Sequence, residues 1–166
     1  MRSKVLWIED GAEFECAELT GPVYNSRKYD LQIALTVTDA ISRLQETEFA
    51  VVVVDIRMDP GDSPEWRDRF EKGGADRGDA RLGIQLLYSL FKPQTEGCVR
   101  IDPLPGWLKP KRIGVLTVES EKEIGSHLEE LGIKCYRRKQ WPMPPTALLE
   151  VIDRVLEIQH LGAGNT

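Results

Sequence analysis

The 166 residues predict an α/β fold: a three-layer α/β/α sandwich on a doubly wound, five-stranded parallel sheet of order 2-1-3-4-5. Three observations predict it. Val51-Val52-Val53-Val54 is β-branched and apolar on both faces, which fits a short strand covered from both sides and no amphipathic helix. Further apolar, strand-like runs alternate with segments of helical periodicity, and right-handed crossovers then put helices on both sheet faces. Two of the apolar runs end in carboxylates, Glu9-Asp10 and Asp55, and open parallel sheets bind ligands at the carboxyl ends of their strands.

The first strand is Lys4–Ile8. Residues from about Ala12 to Leu19 are expected to form a short helix stopped by Gly21-Pro22. Tyr29–Leu35 reads as the second strand, with Leu31, Ile33 and Leu35 alternating with Gln32 and Ala34. Thr38 or Asp39 is expected to cap a helix with Ala40, Ile41 and Leu44 on one face. The valine strand comes next.

Asp59–Arg81 holds seven acids and five bases, so most of it reads as solvated loop. One piece predicts order: Ser63 can cap, Pro64 suits the first helical position, Trp66 and Phe70 stand four apart, and Gly73-Gly74 would stop the helix. Gly83–Phe91 is an apolar helix closed by Pro93, and Gln94–Lys111 is irregular around Pro103, Pro105, Trp107 and Pro110. Both tryptophans read as packing anchors for these long connections.

Arg112–Thr117 is the fourth strand. Ser120 with Glu123 makes a capping box for a helix that turns Ile124, Leu128 and Leu131 to one face and ends at Gly132. Ile133–Tyr136 is the fifth strand, reaching Lys139. The last helix runs from Thr146 to about Gln159, with Leu148, Leu149, Ile152, Val155 and Leu156 at helical spacing, and Leu161–Thr166 should fray. The expected organisation is one domain, about 1–160, with insertions at about 59–82 and 93–111 and a flexible tail at 161–166. No internal repeat and no output domain after the last helix are expected.

Composition narrows the function classes. Hydrophobic residues make up 41% and charged residues 30%, the balance of a soluble globular domain. A net charge of −5 argues against general affinity for nucleic acid. No apolar run approaches the roughly 20 residues that span a bilayer, and Met1–Lys4 leads into a strand with no signal-peptide core. Cys16, Cys98 and Cys135 form no Cys-x-x-Cys pair, which fits reduced thiols in the cytoplasm, and only His127 and His160 are present, too few for a zinc site.

Strand order 2-1-3-4-5 places strands one and three side by side, bringing Glu9, Asp10 and Asp55 together. Three carboxylates at one edge repel one another unless a cation sits among them, and a hard divalent ion such as Mg2+ meets that need. The fourth strand ends in Thr117, a hydroxyl, and the fifth leads to Lys139, an ammonium. Together these are what a carboxylate nucleophile needs to accept a phosphoryl group. Each residue also has a plainer role open to it. Glu9-Asp10 or Asp55 can cap the adjoining loop or helix, Thr117 can be an ordinary strand end, Lys139 a surface charge in Arg137-Arg138-Lys139, and Tyr136 a core residue.

Taken in order, these residues resemble the receiver domain of two-component response regulators, the CheY-like superfamily with its flavodoxin-like fold. Glu9-Asp10 matches the family's acidic pair, Asp55 its phosphoacceptor, Met58 the methionine three residues on, Thr117 its hydroxyl, Lys139 its lysine and Tyr136 its aromatic switch. The spacings of 45 from Asp10 to Asp55 and 22 from Thr117 to Lys139 fit the family. The resemblance covers roughly 4–58, 83–91 and 112–159. It departs at Gln140, where the family has a proline that is often cis, at Asp59, where proline is displaced to Pro60, and at Val118, where a small residue is usual.

The resemblance implies a stand-alone receiver. Mg2+ would be held by Asp10, Asp55, the Arg57 backbone carbonyl and, largely through water, Glu9. A histidine kinase or phosphotransfer protein would phosphorylate Asp55, and Thr117 and Tyr136 would then switch. An unknown downstream protein would bind the face formed by 121–131, 133–139 and 146–159. A monomer or a phosphorylation-dependent dimer is expected, with no direct contact to nucleic acid or membrane and no turnover of an external substrate. Two other readings stand beside it: an interaction module that keeps the fold without phosphorylation, and a phosphohydrolase. The latter usually needs an acid where Arg57 stands. Two local expectations complete the reading. Asp59–Arg81 would act as a partial lid, and Arg57 would pair with Glu119 across the path of attacking water.

Overall fold

Val51–Val54 forms strand β3 at the centre of the sheet, and all four side chains are buried. In the computed structural model, which describes residues 1–14, 16–73 and 80–164, the neighbours of β3 are β1 (Ser3–Ile8) and β4 (Ile113–Thr117). The edges are β2 (Tyr29–Ala34) and β5 (Cys135–Arg138). All pairs are parallel and the order is β2-β1-β3-β4-β5, as the sequence predicts.

Alternation along the central strands sorts the core into two layers. Leu6, Ile8, Val52, Val54 and Val115 face helices α2 (Val37–Glu46), α4 (Leu82–Phe91) and α5 (Glu121–Leu131). Val5, Trp7, Val51, Val53 and Leu116 face α1 (Thr20–Ser26) and α6 (Ala147–Ala163). Each fully buried aliphatic side chain contributes about 1.5–3 kcal/mol. An exposed pair such as Lys72–Asp68 or Arg154–Glu157 contributes about 0–1 kcal/mol. The two apolar layers therefore hold the fold, and the ion pairs tune it.

Several boundaries differ from expectation, each for a local reason. The first helix lies later than Ala12–Leu19. A 3-10 turn at Ala17–Leu19 leads into α1, and Pro22 sits in the first turn of α1, where a missing N–H breaks no helical hydrogen bond. Gly21-Pro22 thus opens a helix instead of ending one. Helix α2 is capped by Thr36, whose Oγ1 accepts from the Asp39 N–H at 3.1 Å; Thr38 is already helical and its hydroxyl donates to the Pro60 carbonyl at 2.7 Å. Helix α6 continues to Ala163, beyond the expected end near Gln159.

The short helix in the β3–α4 connection forms as α3 (Pro64–Glu71), with Pro64 in its first turn. Trp66 is buried in the α2/α4/α5 layer, and Phe70 packs against that layer. In the second connection, Trp107 donates its Nε1–H to the Leu44 carbonyl at 3.2 Å and carries the Arg112 guanidinium 5.5 Å above its ring. Both tryptophans are packing anchors. Among the described residues no helix is long and apolar enough to cross a membrane.

Candidate functional site

Register places the acids. Ile8 pairs with Val54, and the Asp55 N–H donates to the Ile8 carbonyl at 3.0 Å, so both chains leave the sheet side by side. Glu9 and Asp55 are both buried, while Asp10 lies at the exposed rim. One carboxylate oxygen from each of Glu9, Asp10 and Asp55 falls within 4.8 Å of the others. On the other side Thr117 pairs with Arg138, and the Lys139 N–H donates to the Thr117 carbonyl at 2.7 Å. That contact aims Lys139 inward. Its Nζ lies 2.5 Å from Glu9 Oε1 and 3.2 Å from Asp55 Oδ2.

Asp55 Oδ1 accepts from the Ile56 N–H at 2.7 Å and lies 3.4 Å from the Arg57 N–H. Thr117 is buried, its Oγ1 3.4 Å from the Glu119 N–H, one strand away from Asp55. The Tyr136 hydroxyl donates to the Glu119 carbonyl at 2.5 Å, tying the aromatic residue to the β4–α5 connection.

Electrostatics follow from crowding. Burial first, then Asp55, pushes the Glu9 carboxyl above its ordinary range, and Lys139 only partly opposes this. At Asp10 the protein behind the carboxylate removes enough water to push it up to about 6, with Asp55 and then Asp59 adding repulsion. Burial alone would lower the Lys139 ammonium, but Asp55 and Glu9 outweigh it and hold it above its usual value. The site thus holds an excess of negative charge that one lysine does not cancel.

These residues fit a hard divalent cation. The donors are all carboxylate oxygens, and Glu9 Oε2 is buried without a hydrogen-bond partner among the described residues. An oxygen-ligated ion would satisfy that orphan and relieve the repulsion.

The structure adds residues with weak or no sequence signal. The buried Cys16 thiol donates to Glu9 Oε1 at 3.2 Å, and burial pushes that thiol up to about 12. Gly83 donates its N–H to the Ile56 carbonyl at 2.9 Å; a Cβ there would meet the Asp55 carbonyl oxygen at 2.2 Å. Its signal was only a glycine at the start of an apolar helix. Arg57 Nε and Glu119 Oε1 pair at 2.8 Å, as the receiver resemblance implies, and Arg81 Nη2 lies 3.4 Å from Glu119 Oε2 from the foot of α4. Val118 is exposed, and one of the two cis peptide bonds among the described residues falls at Trp141–Pro142, past the Lys139–Gln140 position, the other being Asp102–Pro103. Of the expected lid, 74–79 lies outside the described residues. The part before it binds elsewhere, since Asp59 and Pro60 accept from the N–H groups of Val37 and Thr38 and Trp66 enters the core, whereas Arg81 after it pairs with Glu119.

No family model and no curated protein matches this chain. Solved structures do. A CheY-like response regulator receiver domain from Methanospirillum hungatei aligns with 96% of this chain and 98% of its own at 18% identity and a TM-score of 0.59. The signal receiver domain of a putative Luxo repressor protein from Vibrio parahaemolyticus aligns over 100% and 99% at 16% identity, also with a TM-score of 0.59. The chemotaxis protein CheY4 of Vibrio cholerae aligns over 93% and 99% at 17% identity, with a TM-score of 0.58. The chain has the receiver-domain fold.

Proposed function

We propose that this chain is a response-regulator receiver that accepts a phosphoryl group on Asp55. The observation that carries the reading is Asp55 itself. It is buried at the carboxyl end of the central strand, 3.2 Å from an ammonium and within 4.8 Å of two more carboxylates. A buried carboxylate so placed is held for a reaction at a phosphorus atom, with charge neutralised around it.

Glu9, Asp10 and Asp55 would hold Mg2+, together with the Arg57 backbone carbonyl, and the ion would neutralise phosphoryl oxygens when bound. Asp55 Oδ2 is the attacking oxygen once Lys139 turns from it, since Oδ1 is held by the Ile56 N–H of its own backbone. Lys139 moves from two carboxylates to the incoming phosphoryl oxygens. Thr117, one strand away, supplies a hydroxyl to the same group, and Tyr136 follows the Glu119 carbonyl as that loop shifts. The donor is the phosphohistidine of a cytoplasmic histidine kinase or phosphotransfer protein. The face of α5, β5 and α6 then engages a downstream protein.

The test is mass spectrometry after incubation with a small acyl phosphate and Mg2+. One phosphoryl group is expected, mapping to Asp55 and absent in Asp55→Asn. A label elsewhere, or none, removes the chemistry from this reading. One observation favours an interaction module without phosphorylation: Lys139 lies closer to Glu9 than to Asp55. A protein that takes no label yet keeps its partner would be that module.

A further inference from the structure

A cleft of about 640 Å3 opens between α3, α4 and the 95–98 turn, and no residue of the Asp55 site lines it. That volume falls within the roughly 300–1,000 Å3 of pockets that take small organic ligands.

Packing gives the cleft a fixed shape. Helix α3 is pinned by Trp66, which is buried in the core, and by Phe70, which packs against it. At its end, Gly73 stands against the main chain of Ala80: a Cβ on Gly73 would meet the Ala80 α-carbon at 2.5 Å. That contact ties the end of α3 to the approach to α4. On the other side, the Thr95 N–H donates to the Lys92 carbonyl at 2.9 Å and the Cys98 N–H to the Thr95 carbonyl at 3.2 Å, so this wall is built of successive turns. Gly97 takes the left-handed backbone there, with φ 84°, and faces the Arg69 guanidinium; a Cβ on it would lie 3.7 Å from Nη1.

The lining is apolar beneath and charged at the rim. Ala80 and Ile84 are buried. The rings of Tyr88 and His127 meet edge to face with centroids 5.6 Å apart. The Tyr88 hydroxyl is already committed to Glu130 Oε2 at 2.6 Å, so what Tyr88 offers the cleft is its ring. Asp68 and Lys72 are exposed and neutralise each other at 2.8 Å. Glu96 is exposed, and water screens its charge. Arg69 differs from all three: it is half-buried and, among the described residues, has no carboxylate partner. A half-buried guanidinium left in this state matches a planar carboxylate, which it can bind through two parallel N–H donors.

We propose that this cleft binds a small organic carboxylate with a flat, apolar body. Arg69 pairs with the carboxylate, and the body lies on Ala80 and Ile84 against the Tyr88 ring. The site is separate from Asp55, and the proposal stands whether or not Asp55 accepts a phosphoryl group.

The experiment titrates the full, isotope-labelled chain with naphthoate, and with naphthamide as the uncharged probe of the same shape, and follows the shifts by NMR. Saturable shifts are expected at 68–73, 84–88, 95–98 and 127. Naphthamide should bind about five- to tenfold more weakly than naphthoate. Arg69→Gln should weaken naphthoate by a similar factor and bring the two probes to equal affinity, at an unchanged thermal midpoint; Arg69→Lys should recover part of the difference. Gln85→Trp, which fills the cleft from α4, should remove the binding of both. Arg154→Gln, which deletes a cation on α6 at the opposite sheet face, should change neither. The proposal is overturned by any of four results: no saturable shift up to the solubility of the probe, shifts centred outside the cleft, equal affinity for the two probes in the parent protein, or unchanged affinity for naphthoate in Arg69→Gln. If Arg69→Gln does not fold, the parent protein's preference between the two probes, read at the same residues, decides alone.

Discussion

Two clusters of buried charge lie at one edge of this sheet, and they are built by opposite means. In the first, strand ends bring Glu9, Asp55 and Lys139 together, and all three side chains are at most 6% exposed. In the second, connections bring Arg57 and Arg81 to Glu119, with the arginines 43% and 37% exposed around a 1% exposed acid. The first cluster has no water to fall back on, and the second does. Charge in the first is therefore a matter of stability and chemistry, and in the second a matter of adjustment.

Removing the shared partner of each cluster should separate them most sharply. Lys139→Ala leaves two buried carboxylates uncompensated and should cost about 3–5 kcal/mol in unfolding free energy without divalent ions. Mg2+ should recover part of that. Glu119→Ala leaves two arginines that can turn to solvent, and should cost only about 1 kcal/mol. Chemical denaturation of both variants measures the contrast. Equal losses would mean that partner exposure is not what distinguishes the clusters.

The next effect is the response to pH. Asp10 has an ordinary value of 3.8 and is pushed up to about 6 in the folded protein, by burial first and then by Asp55. Between those values the folded protein binds more protons than the unfolded chain, so the metal-free protein should lose stability as pH rises through that window. Saturating Mg2+ should flatten the slope, and Asp10→Asn should reduce it to the part carried by Glu9, whose carboxyl is also pushed up by burial and Asp55, and should weaken Mg2+ binding. Denaturation midpoints across the window, with and without Mg2+, measure this. A slope undiminished in Asp10→Asn would assign it to other groups.

The smallest effect concerns lifetime at the second cluster. The Arg57–Glu119 pair has one half-exposed partner, so it is worth about 0.2–1 kcal/mol, and Arg57→Ala should shorten the phosphorylated state by about two- to fivefold. Val118→Ala should shorten it less, since that side chain is exposed beside the path. Equal decay in all three proteins would leave the second cluster without influence on the first.

The contrast also explains what was legible in the sequence. Strand ends are set by topology. Once four valines fix a central strand and the alternation fixes a parallel sheet, Glu9, Asp55, Thr117 and Lys139 have one edge to share, and spacing finds them. The Arg57–Glu119 pair was legible because each stands two residues past such an end. Arg81 was not. It is one of five bases in a charged connection, and a left-handed backbone aims it. Local signals erred where tertiary contacts decide. Gly21-Pro22 reads as a stop, yet α1 opens on it. Thr36, and not the expected Thr38 or Asp39, caps α2, while the Thr38 hydroxyl donates to the Pro60 carbonyl.

The contact at Gly83 has a consequence for sequence variation. A Cβ there would stand 2.2 Å from the Asp55 carbonyl oxygen and 2.6 Å from the Ile56 α-carbon, backbone that no side-chain repacking can move aside. At Gly106 a Cβ would meet nothing within 4 Å. A library randomised at both codons and selected for folded protein should return glycine alone at 83 and a broad alphabet at 106. Position 83 admits one letter because its neighbour is the main chain of the very residue on which the reaction is proposed to occur.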